Sequence, residues 1–398
     1  MVDGSLESLR ARNRQAVVAA IQRRPGSSRA EIARRTGLSA TTVSTLVAQL
    51  TQDGVVVERE PARAPGGGGR PSTGLGLSPE QGAVVGVHLG HGGTRVVLLT
   101  LDGTVRGETS TRSDVDHEPA RSLRAVAADA LGLVDGAGIG RDRLLGAGVA
   151  VSAPVLHAAT LGSPPMLLDW GGIDVAAQLR DQLGSPVQLG NDATLGALAE
   201  WRLGAASGHD DLVYVMLSEG VGSGLIVGGR LHEGATGAAG EFGHVPVPGA
   251  GQICRCGNRG CLETVVGARA LVADLAHSRG PNCTLDDLLR LADDGDAGTM
   301  RLLADAGRTI GGLLAALSVM LDPAVVVIGG DLSASGPAVE TVSRHAHEAL
   351  GRSLPPVSNR DVPVLPSALR GRSEALGAAL LASDHAALRL VGATPGPA

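Results

Sequence analysis

Three of the chain's four cysteines lie in one short stretch, where Cys254, Cys256 and Cys261 form a Cys-x-Cys-x4-Cys array. His244 stands ten residues before the first of them. Three sulfurs and one imidazole nitrogen are the ligand set of a tetrahedral structural zinc site. Because four protein ligands leave no open coordination position, we predict a zinc ion that fixes the loop 244–261 and is not catalytic. The alternative is a loop of free thiols, which would leave the close spacing and the upstream histidine unexplained.

The composition limits what surrounds this loop. A chain of 398 residues suggests two or three domains, and a hydrophobic content of 43% with 1% aromatics suggests an aliphatic core. All 34 basic residues are arginines, which excludes a Schiff-base lysine and a P-loop lysine. The sequence shows neither a secretory signal nor an apolar run long enough to span a membrane. We therefore expect a cytoplasmic protein without a membrane partner.

Charge is distributed unevenly along the chain. Residues 1–70 carry 11 arginines and 6 acidic side chains, a net charge of +5, whereas the remainder carries 23 arginines and 34 acidic side chains, a net charge of −11. A basic head on an acidic body indicates that only the head meets a polyanion such as double-stranded DNA.

The basic head shows the pattern of a winged helix-turn-helix. Helices are predicted over 6–24, over "SSRAEIARRTG" and over "SATTVSTLVAQLTQDG", and "VVVERE" begins a wing. In the third helix the inward positions are Val43, Leu46, Val47 and Leu50. Small and hydroxylated side chains face outward near its N-terminus, where a helix can enter the major groove. The DNA contacts that we predict in the head are Arg29, Ser39, Ala40, Thr41, Thr42 and Thr45. The alternative is a three-helix bundle that binds a protein.

A Gly-Arg-Pro segment follows the head. "GGGGRPS", residues 66–72, contains no core-forming residue and carries one guanidinium, Arg70. An extended arm of this kind suits a minor groove, where the negative potential favours arginine. A flexible linker is the other interpretation, and the segment could serve as both. We assign 1–64 to the DNA-binding domain, 65–79 to the linker or arm, and 80–398 to a second domain.

The acidic body alternates apolar strands with helices, which predicts an α/β fold. Similar strand–turn–strand patterns at 84–103 and 212–232 suggest two related halves. The motifs "GNDATLGALAE", "GAAGEFGH" and "CRCGNRGCLE" occur in that order. This order resembles the ROK family of repressors, open reading frames and sugar kinases, and the resemblance covers essentially the whole chain. It implies a two-lobed fold similar to actin and hexokinase, with the ligand in the cleft.

The resemblance also implies which residues contact a sugar. Glu241, His244 and Glu263 match family positions that contact sugar hydroxyls, and a carboxylate can accept paired hydrogen bonds from vicinal hydroxyls. Asn191-Asp192 matches the pair that supplies the general base in the kinases, where the aspartate takes the proton of the attacking hydroxyl. Two plainer alternatives are a helix cap for Asp192 and a surface carboxylate for Glu263. The segment "SPPMLLDW" lacks the asparagine that many family members place before its tryptophan.

The phosphate motifs of the kinases are altered in this chain. The family's first turn resembles "DxGGTK", whereas "HLGHGG" here puts either His88 or Gly90 at the aspartate position. The second motif resembles "GTGxGxG", whereas "SEGVGSG" here has Glu219 in place of the threonine. A carboxylate repels a triphosphate unless a metal intervenes. "VVIGGDL" at 326–332 resembles the adenosine-side strand end.

These features predict a sugar-responsive transcription regulator, acting as a repressor, that has lost its kinase chemistry. Its partners would be operator DNA and a sugar or sugar phosphate, and two half-sites would require a homodimer or a dimer of dimers. One alternative is an ATP-dependent, glucokinase-like sugar kinase with an added DNA-binding domain, in which Asp192 is catalytic. Another is a scaffold whose pocket is vestigial.

Overall fold

The computed structural model describes residues 6–60, 73–156, 160–161, 169–355 and 361–392. Within these ranges the chain forms a small N-terminal head and two α/β lobes, each built on a five-stranded sheet. This is the predicted combination of a winged helix with a two-lobed fold.

The head consists of three helices and a hairpin: α1 (Leu6–Arg23), α2 (Arg29–Thr36), α3 (Ala40–Gln52), β1 (Val56–Arg59) and β2 (Gly74–Leu77). A capping box starts α2, because the Ser28 hydroxyl accepts from the backbone N–H of Glu31 and the Glu31 carboxylate accepts from the N–H of Ser28. Gly37 ends that helix in the left-handed region, with φ of 70°. The buried face of α3 is the predicted one: Val43, Leu46, Val47 and Leu50.

The wing has a second strand that the sequence did not predict. The predicted linker, residues 65–79, ends in β2, which pairs antiparallel with β1 so that Val56 lies opposite Leu77. "GLGL" lacks the β-branched residues that signal a strand, but its leucines are buried in the core of the head. Residues 61–72, which include Arg70, lie outside the described residues.

The first lobe contains, in chain order, β3 (Ala83–Gly90), β4 (Gly93–Thr100), β5 (Val105–Thr111), α4 (Pro119–Gly136), β6 (Leu144–Val151), β7 (Val155–Leu156), β8 (Thr160–Leu161), α5 (Val175–Leu183), β9 (Val187–Asn191) and α6 (Asp192–Arg202). The order of its sheet is β5-β4-β3-β6-β9. The hairpin strands β3, β4 and β5 are antiparallel, whereas β3, β6 and β9 are parallel. Strands β7 and β8 form a separate two-stranded hairpin.

The second lobe contains, in chain order, β10 (Leu212–Leu217), β11 (Val221–Val227), β12 (Arg230–Leu231), α7 (Glu263–Val266), α8 (Ala268–Arg279), α9 (Leu285–Asp293), α10 (Ala297–Leu321), β13 (Val325–Gly329), α11 (Gly336–Ser353), β14 (Val364–Pro366) and α12 (Ser373–Leu390). Its sheet order, β12-β11-β10-β13-β14, repeats the antiparallel and parallel pattern of the first sheet. The two strand–turn–strand patterns in the sequence therefore mark the first hairpin of each lobe.

Two helices lie between the sheets. The last helix, α12, returns to the first lobe and packs on β3 and β6, while α6 packs on β10 and β11. Glycines in the strands allow the close contact of α12: a Cβ at Gly86 would lie 2.0 Å from the carbonyl oxygen of Ala375, and one at Gly148 would lie 1.9 Å from that of Ala378. No residue with a side chain fits at these positions without a shift of the helix.

The head shares one hydrophobic core with the first lobe. Buried residues of α1, α3 and β2 belong to the same cluster as β3, β4 and α12, including Ile21, Leu50, Leu75, Val84, Leu99 and Ala382. Polar contacts reinforce the junction, since Gln22 Nε2 donates to the carbonyl of Ser383 at 2.9 Å. The Arg59 guanidinium of the wing donates to the backbone carbonyl of Asp102 at 2.9 Å and to its carboxylate at 3.0 Å. The head is thus packed against the lobe.

Among the described helices, α10 is the one that is long and apolar enough to span a membrane by length and composition. It packs along α11, and Leu303, Ile310 and Leu314 lie fully buried in the core of the second lobe. This is the packing of a core helix.

Candidate functional site

A cleft with about 610 Å³ of empty space opens between the lobes. The ends of β3, β6 and β9 line it from one side, and the β10–β11 turn and the cysteine loop line it from the other. The structure brings together all the predicted sugar contacts at this cleft: Asn191, Asp192, Glu241, His244 and Glu263.

Asn191 caps a helix, whereas Asp192 lies in the cleft. Asn191 caps α6, since its side-chain oxygen accepts from the N–H of Thr194 at 3.0 Å. Asp192 is buried, with 3% of its surface exposed, and it faces the cleft. Its Oδ1 accepts from the N–H of Ala193 at 2.8 Å, and its Oδ2 accepts from the Ser152 hydroxyl at 2.6 Å. The carboxylate is therefore held firmly by groups other than the cap.

His88 lies beside this carboxylate, at the end of β3. Its Nε2 is 3.8 Å from Asp192 Oδ2, and both His88 and Gly90, the two candidates for the kinase aspartate position, line the cleft. Burial lowers the pKa of the His88 imidazole, but the carboxylates of Asp192, Glu374 and Asp331 outweigh burial and raise that pKa above its ordinary value. The neighbouring carboxylates thus favour the protonated form of the imidazole at this point of the cleft.

Glu374 and Tyr214 form a buried pair behind His88. The Tyr214 hydroxyl donates to Glu374 Oε1 at 2.7 Å and accepts from the N–H of Gly330 at 3.0 Å. Burial raises the pKa of the Glu374 carboxyl to about 6, partly offset by the His88 charge. Burial also raises the pKa of Tyr214. Neither residue was predicted from the sequence, although Tyr214 is the only tyrosine of the chain.

The four predicted zinc ligands converge. Their ligand atoms all lie within 4.8 Å of one another, with His244 Nδ1 3.5 Å from Cys254 Sγ and Cys256 Sγ 3.6 Å from Cys261 Sγ. Zinc–sulfur bonds of about 2.3 Å in a tetrahedron require sulfurs about 3.8 Å apart, and a nitrogen ligand lies slightly closer. The donor set and its spacing therefore fit a zinc ion.

The metal cluster also touches the two carboxylates of the loop. His244 Nε2 is 3.5 Å from Glu241 Oε2, so one ring nitrogen faces the cysteines and the other faces a cleft carboxylate. On the other side, the Cys254 thiol donates to Glu263 Oε1 at 2.8 Å. Burial raises the pKa of Glu241, and burial together with Glu263 raises that of Cys254.

The phosphate side of the cleft contains paired charges. Glu219, in the β10–β11 turn, accepts a hydrogen bond from Arg269 at 2.8 Å. Its other carboxylate oxygen reaches toward the β3–β4 turn, where a Cβ at Gly92 would lie 3.8 Å from it. Asp331 also lines this part of the cleft, and its backbone N–H donates to the Ser218 hydroxyl at 3.0 Å.

The predicted DNA contacts of the head cluster at the start of α3. Ala40, Thr41 and Thr45 are exposed. Ser39 caps the helix and its hydroxyl lies 2.8 Å from that of the half-buried Thr42. Arg29 forms an exposed ion pair with Glu58 of the wing, at 3.6 Å.

The family comparisons agree with this geometry. The ROK family model matches residues 84–385, and a winged helix-turn-helix DNA-binding model matches residues 10–57. The xylose repressor of Bacillus subtilis is 28% identical over 364 residues, covering 90% of this chain and 91% of the relative. The glucokinase of Streptomyces coelicolor is 28% identical over 324 residues, covering 76% of this chain and 98% of the relative.

Solved structures show the same fold. A ROK family glucokinase from Streptomyces griseus, in complex with glucose and AMPPNP, superposes with a TM-score of 0.67 at 26% identity, covering 75% of this chain and 99% of the other. A ROK family transcriptional regulator, a homologue of the Escherichia coli MLC protein, superposes with a TM-score of 0.71 at 23% identity, covering 96% of this chain and 99% of the other. Together with the family match over most of its length, these similarities show that the chain belongs to the ROK family.

Proposed function

We propose that this chain is a DNA-binding transcription regulator that represses its target and responds to a sugar. The observation that carries the proposal is the winged helix head, which shares a hydrophobic core with the sugar-kinase-like lobe. The xylose repressor relative aligns over 90% of this chain, whereas the glucokinase relative has no counterpart for about a quarter of it. A regulator of this kind acts on chromosomal DNA in the cytoplasm.

The head supplies the DNA contacts. The start of α3 offers the small exposed side chains of Ala40, Thr41 and Thr45, which let a helix approach base edges closely. Arg29 and Arg70 would add phosphate and minor-groove contacts. We keep the boundaries of 1–64 for this domain and 65–79 for the arm. Two half-sites need two heads, so the protein acts as a homodimer or a dimer of dimers.

The cleft of the 80–398 domain is the effector site. Asn191, Asp192, Glu241, His244 and Glu263 surround a volume that suits a small polyol, and their oxygens can accept from several hydroxyls at once. A sugar that prefers one lobe arrangement would shift the protein toward it and change the spacing of the heads.

The Cys3His cluster would hold a structural zinc ion. Cys254, Cys256, Cys261 and His244 would be its four ligands, and the ion would supply a rigid cross-link to the loop. The side chain of Glu241 lies 3.5 Å from His244, so the cross-link would hold that carboxylate in place. Glu263 follows Cys261 by two residues, so the position of its backbone would be fixed by the same loop.

A sugar kinase is the second candidate, since Asp192 lines the cleft and matches the general base of the family's kinases, and the glucokinase relative covers 76% of this chain. Two observations oppose it. The first turn offers no carboxylate to serve a metal in either register, since His88 or Gly90 stands at that position, and Glu219 reaches toward the β3–β4 turn. We therefore propose that the chain is not an enzyme.

Fluorescence anisotropy tests the proposal, using a labelled duplex from the region upstream of the chain's own gene. We expect binding that weakens with salt and that one sugar of a hexose, amino-sugar and pentose panel releases. A coupled ADP-release assay with Mg-ATP and the same panel tests the second candidate. Sugar-dependent ATP turnover without any DNA binding would refute the regulator and favour the kinase.

A further inference from the structure

We propose that His88 is a ligand contact that clamps one sugar hydroxyl together with Asp192, so that the cleft selects an unphosphorylated sugar over the ester phosphorylated at that hydroxyl. The inference rests on the proposed function, in which the cleft binds a sugar. It assigns a ligand contact to His88, one of the two positions, with Gly90, that could match the carboxylate of the kinase pattern.

The first observation is an unused donor. The His88 side chain is 8% exposed and lines the cleft, yet its Nε2 has no hydrogen-bond partner. Leaving a buried polar atom unpaired costs free energy, and such atoms in a folded protein call for an explanation. The Asp192 carboxylate at 3.8 Å is too far away for a direct hydrogen bond. A third atom between the two groups would satisfy Nε2.

The second observation is an unused acceptor position. The Asp192 carboxylate has about four lone-pair positions. Three donors are present among the described residues: the Ser152 hydroxyl at 2.6 Å, the N–H of Ala193 at 2.8 Å and the Asn191 amide at 3.2 Å. One lone-pair position of the Asp192 carboxylate therefore remains unused. His88 lies next to this carboxylate but donates no hydrogen bond to it.

A hydroxyl group fits between them because it both donates and accepts. It would accept from His88 Nε2–H and donate to Asp192 Oδ2, and a group at hydrogen-bond distance from each can bridge atoms 3.8 Å apart. In a kinase the same aspartate would deprotonate this hydroxyl for attack on a phosphate. Here the histidine would donate a hydrogen bond to the same oxygen and hold it in place.

A phosphate ester does not fit the same place. Its oxygens are acceptors with a charge of about −1.5 to −2, so they cannot donate to Asp192. The described residues lining the cleft carry five carboxylates, on Asp192, Glu219, Glu241, Glu263 and Asp331, against the Arg255 guanidinium and the imidazoles of His88, His91 and His244. Glu219 in particular reaches toward Gly92 between the two glycine turns, where a phosphate group would lie. Like charges placed together in a binding site cost several kcal/mol.

Isothermal titration calorimetry on the full-length protein tests the clamp. The probes are glucose and N-acetylglucosamine, each with its 6-phosphate ester, together with xylose and 6-deoxyglucose. We expect one free sugar to bind and its ester to bind at least about 100-fold more weakly. His88→Phe removes the hydrogen-bond donor and should lower the affinity for the sugar about 10- to 100-fold. His88→Gln keeps a nitrogen donor and should recover part of that loss, while His117→Phe, at an exposed histidine, should change nothing.

A double-mutant cycle separates a clamp from a packing effect. If glucose is the sugar that binds, 6-deoxyglucose should bind the wild-type protein more weakly than glucose does. The His88→Phe substitution should cause no further loss of affinity for 6-deoxyglucose. If His88→Phe weakens the binding of both ligands equally, the clamp is wrong but the proposed sugar sensor still stands. The same conclusion follows if a phosphate ester binds as tightly as its sugar. Melting temperatures of the variants show whether each folds. If neither sugars nor esters bind and none releases DNA, both this inference and the proposed function are wrong.

Discussion

The buried carboxyl of Glu374 should make the stability of the protein depend on pH in an unusual direction. Its pKa is about 6 in the folded protein and 4.5 for an ordinary glutamate. Between these values the folded state binds the proton more tightly than the unfolded state, so stability falls as pH rises through this window and stays lower above it. A difference of 1.5 units at 1.36 kcal/mol per unit gives a cost of about 2 kcal/mol at neutral pH.

Glu374→Gln should remove that cost. The amide oxygen can still accept from the Tyr214 hydroxyl, so the 2.7 Å hydrogen bond is kept while the charge is lost. We expect the variant to be more stable than wild type by up to about 2 kcal/mol at pH 7.5 and to lose that advantage near pH 4.5. The variant also loses the attraction between the Glu374 carboxylate and the His88 imidazole, and this loss reduces the gain in stability.

The assay is urea unfolding of the full-length protein at half-unit intervals from pH 4.5 to 7.5. Glu348→Gln, at an exposed glutamate on α11, is the matched control and should shift stability little at any pH. A difference between wild type and Glu374→Gln that stays constant across this range would refute the argument from burial.

Three further predictions address the metal, the DNA contacts and the core. Cys254→Ser, or a chelator, should lower the melting temperature and the bound zinc measured by mass spectrometry; a zinc-free wild type with an unchanged melting curve would contradict a structural ion. Thr41→Glu should weaken duplex binding at least about 10-fold without changing stability, and Arg70→Ala should reduce the salt slope by about 1, both by anisotropy; unchanged affinity across the salt range would remove Arg70 from the interface. Gly148→Val should destabilise the fold by about 3 kcal/mol or more, because its Cβ would meet the Ala378 carbonyl at 1.9 Å; calorimetry showing a native melting temperature would mean that α12 can move aside.

The parts of the site that come from one short segment could be predicted from the sequence. Cys254, Cys256 and Cys261 lie within eight residues, so a tight loop brings them together whatever the rest of the fold does. The buried face of α3 could also be predicted, because a helix repeats its inward positions every three or four residues.

The contacts between distant segments could not be predicted. Tyr214 and Glu374 meet across 160 residues, and nothing near either residue signals the other. The 3.8 Å approach of His88 at the end of β3 to Asp192 after β9 depends on β6 pairing with both strands, and no local pattern near either residue signals it. The strand β2 was missed because burial of Leu75 and Leu77 against the head, rather than local propensity, holds it in place.

The junction between α12, the first sheet and the head has a consequence for signalling. Since the backbone of α12 lies on Gly86 and Gly148 and its Ser383 accepts a hydrogen bond from Gln22 of the head, we expect the head and the first lobe to move as one body. Closure of the cleft then swings the second lobe relative to that body. In a dimer joined through the first lobes, closure would leave the distance between the two heads unchanged. In a dimer joined through the second lobes, each head would lie far from the dimer contact. A small rotation on closure would then move the head a large distance along the DNA.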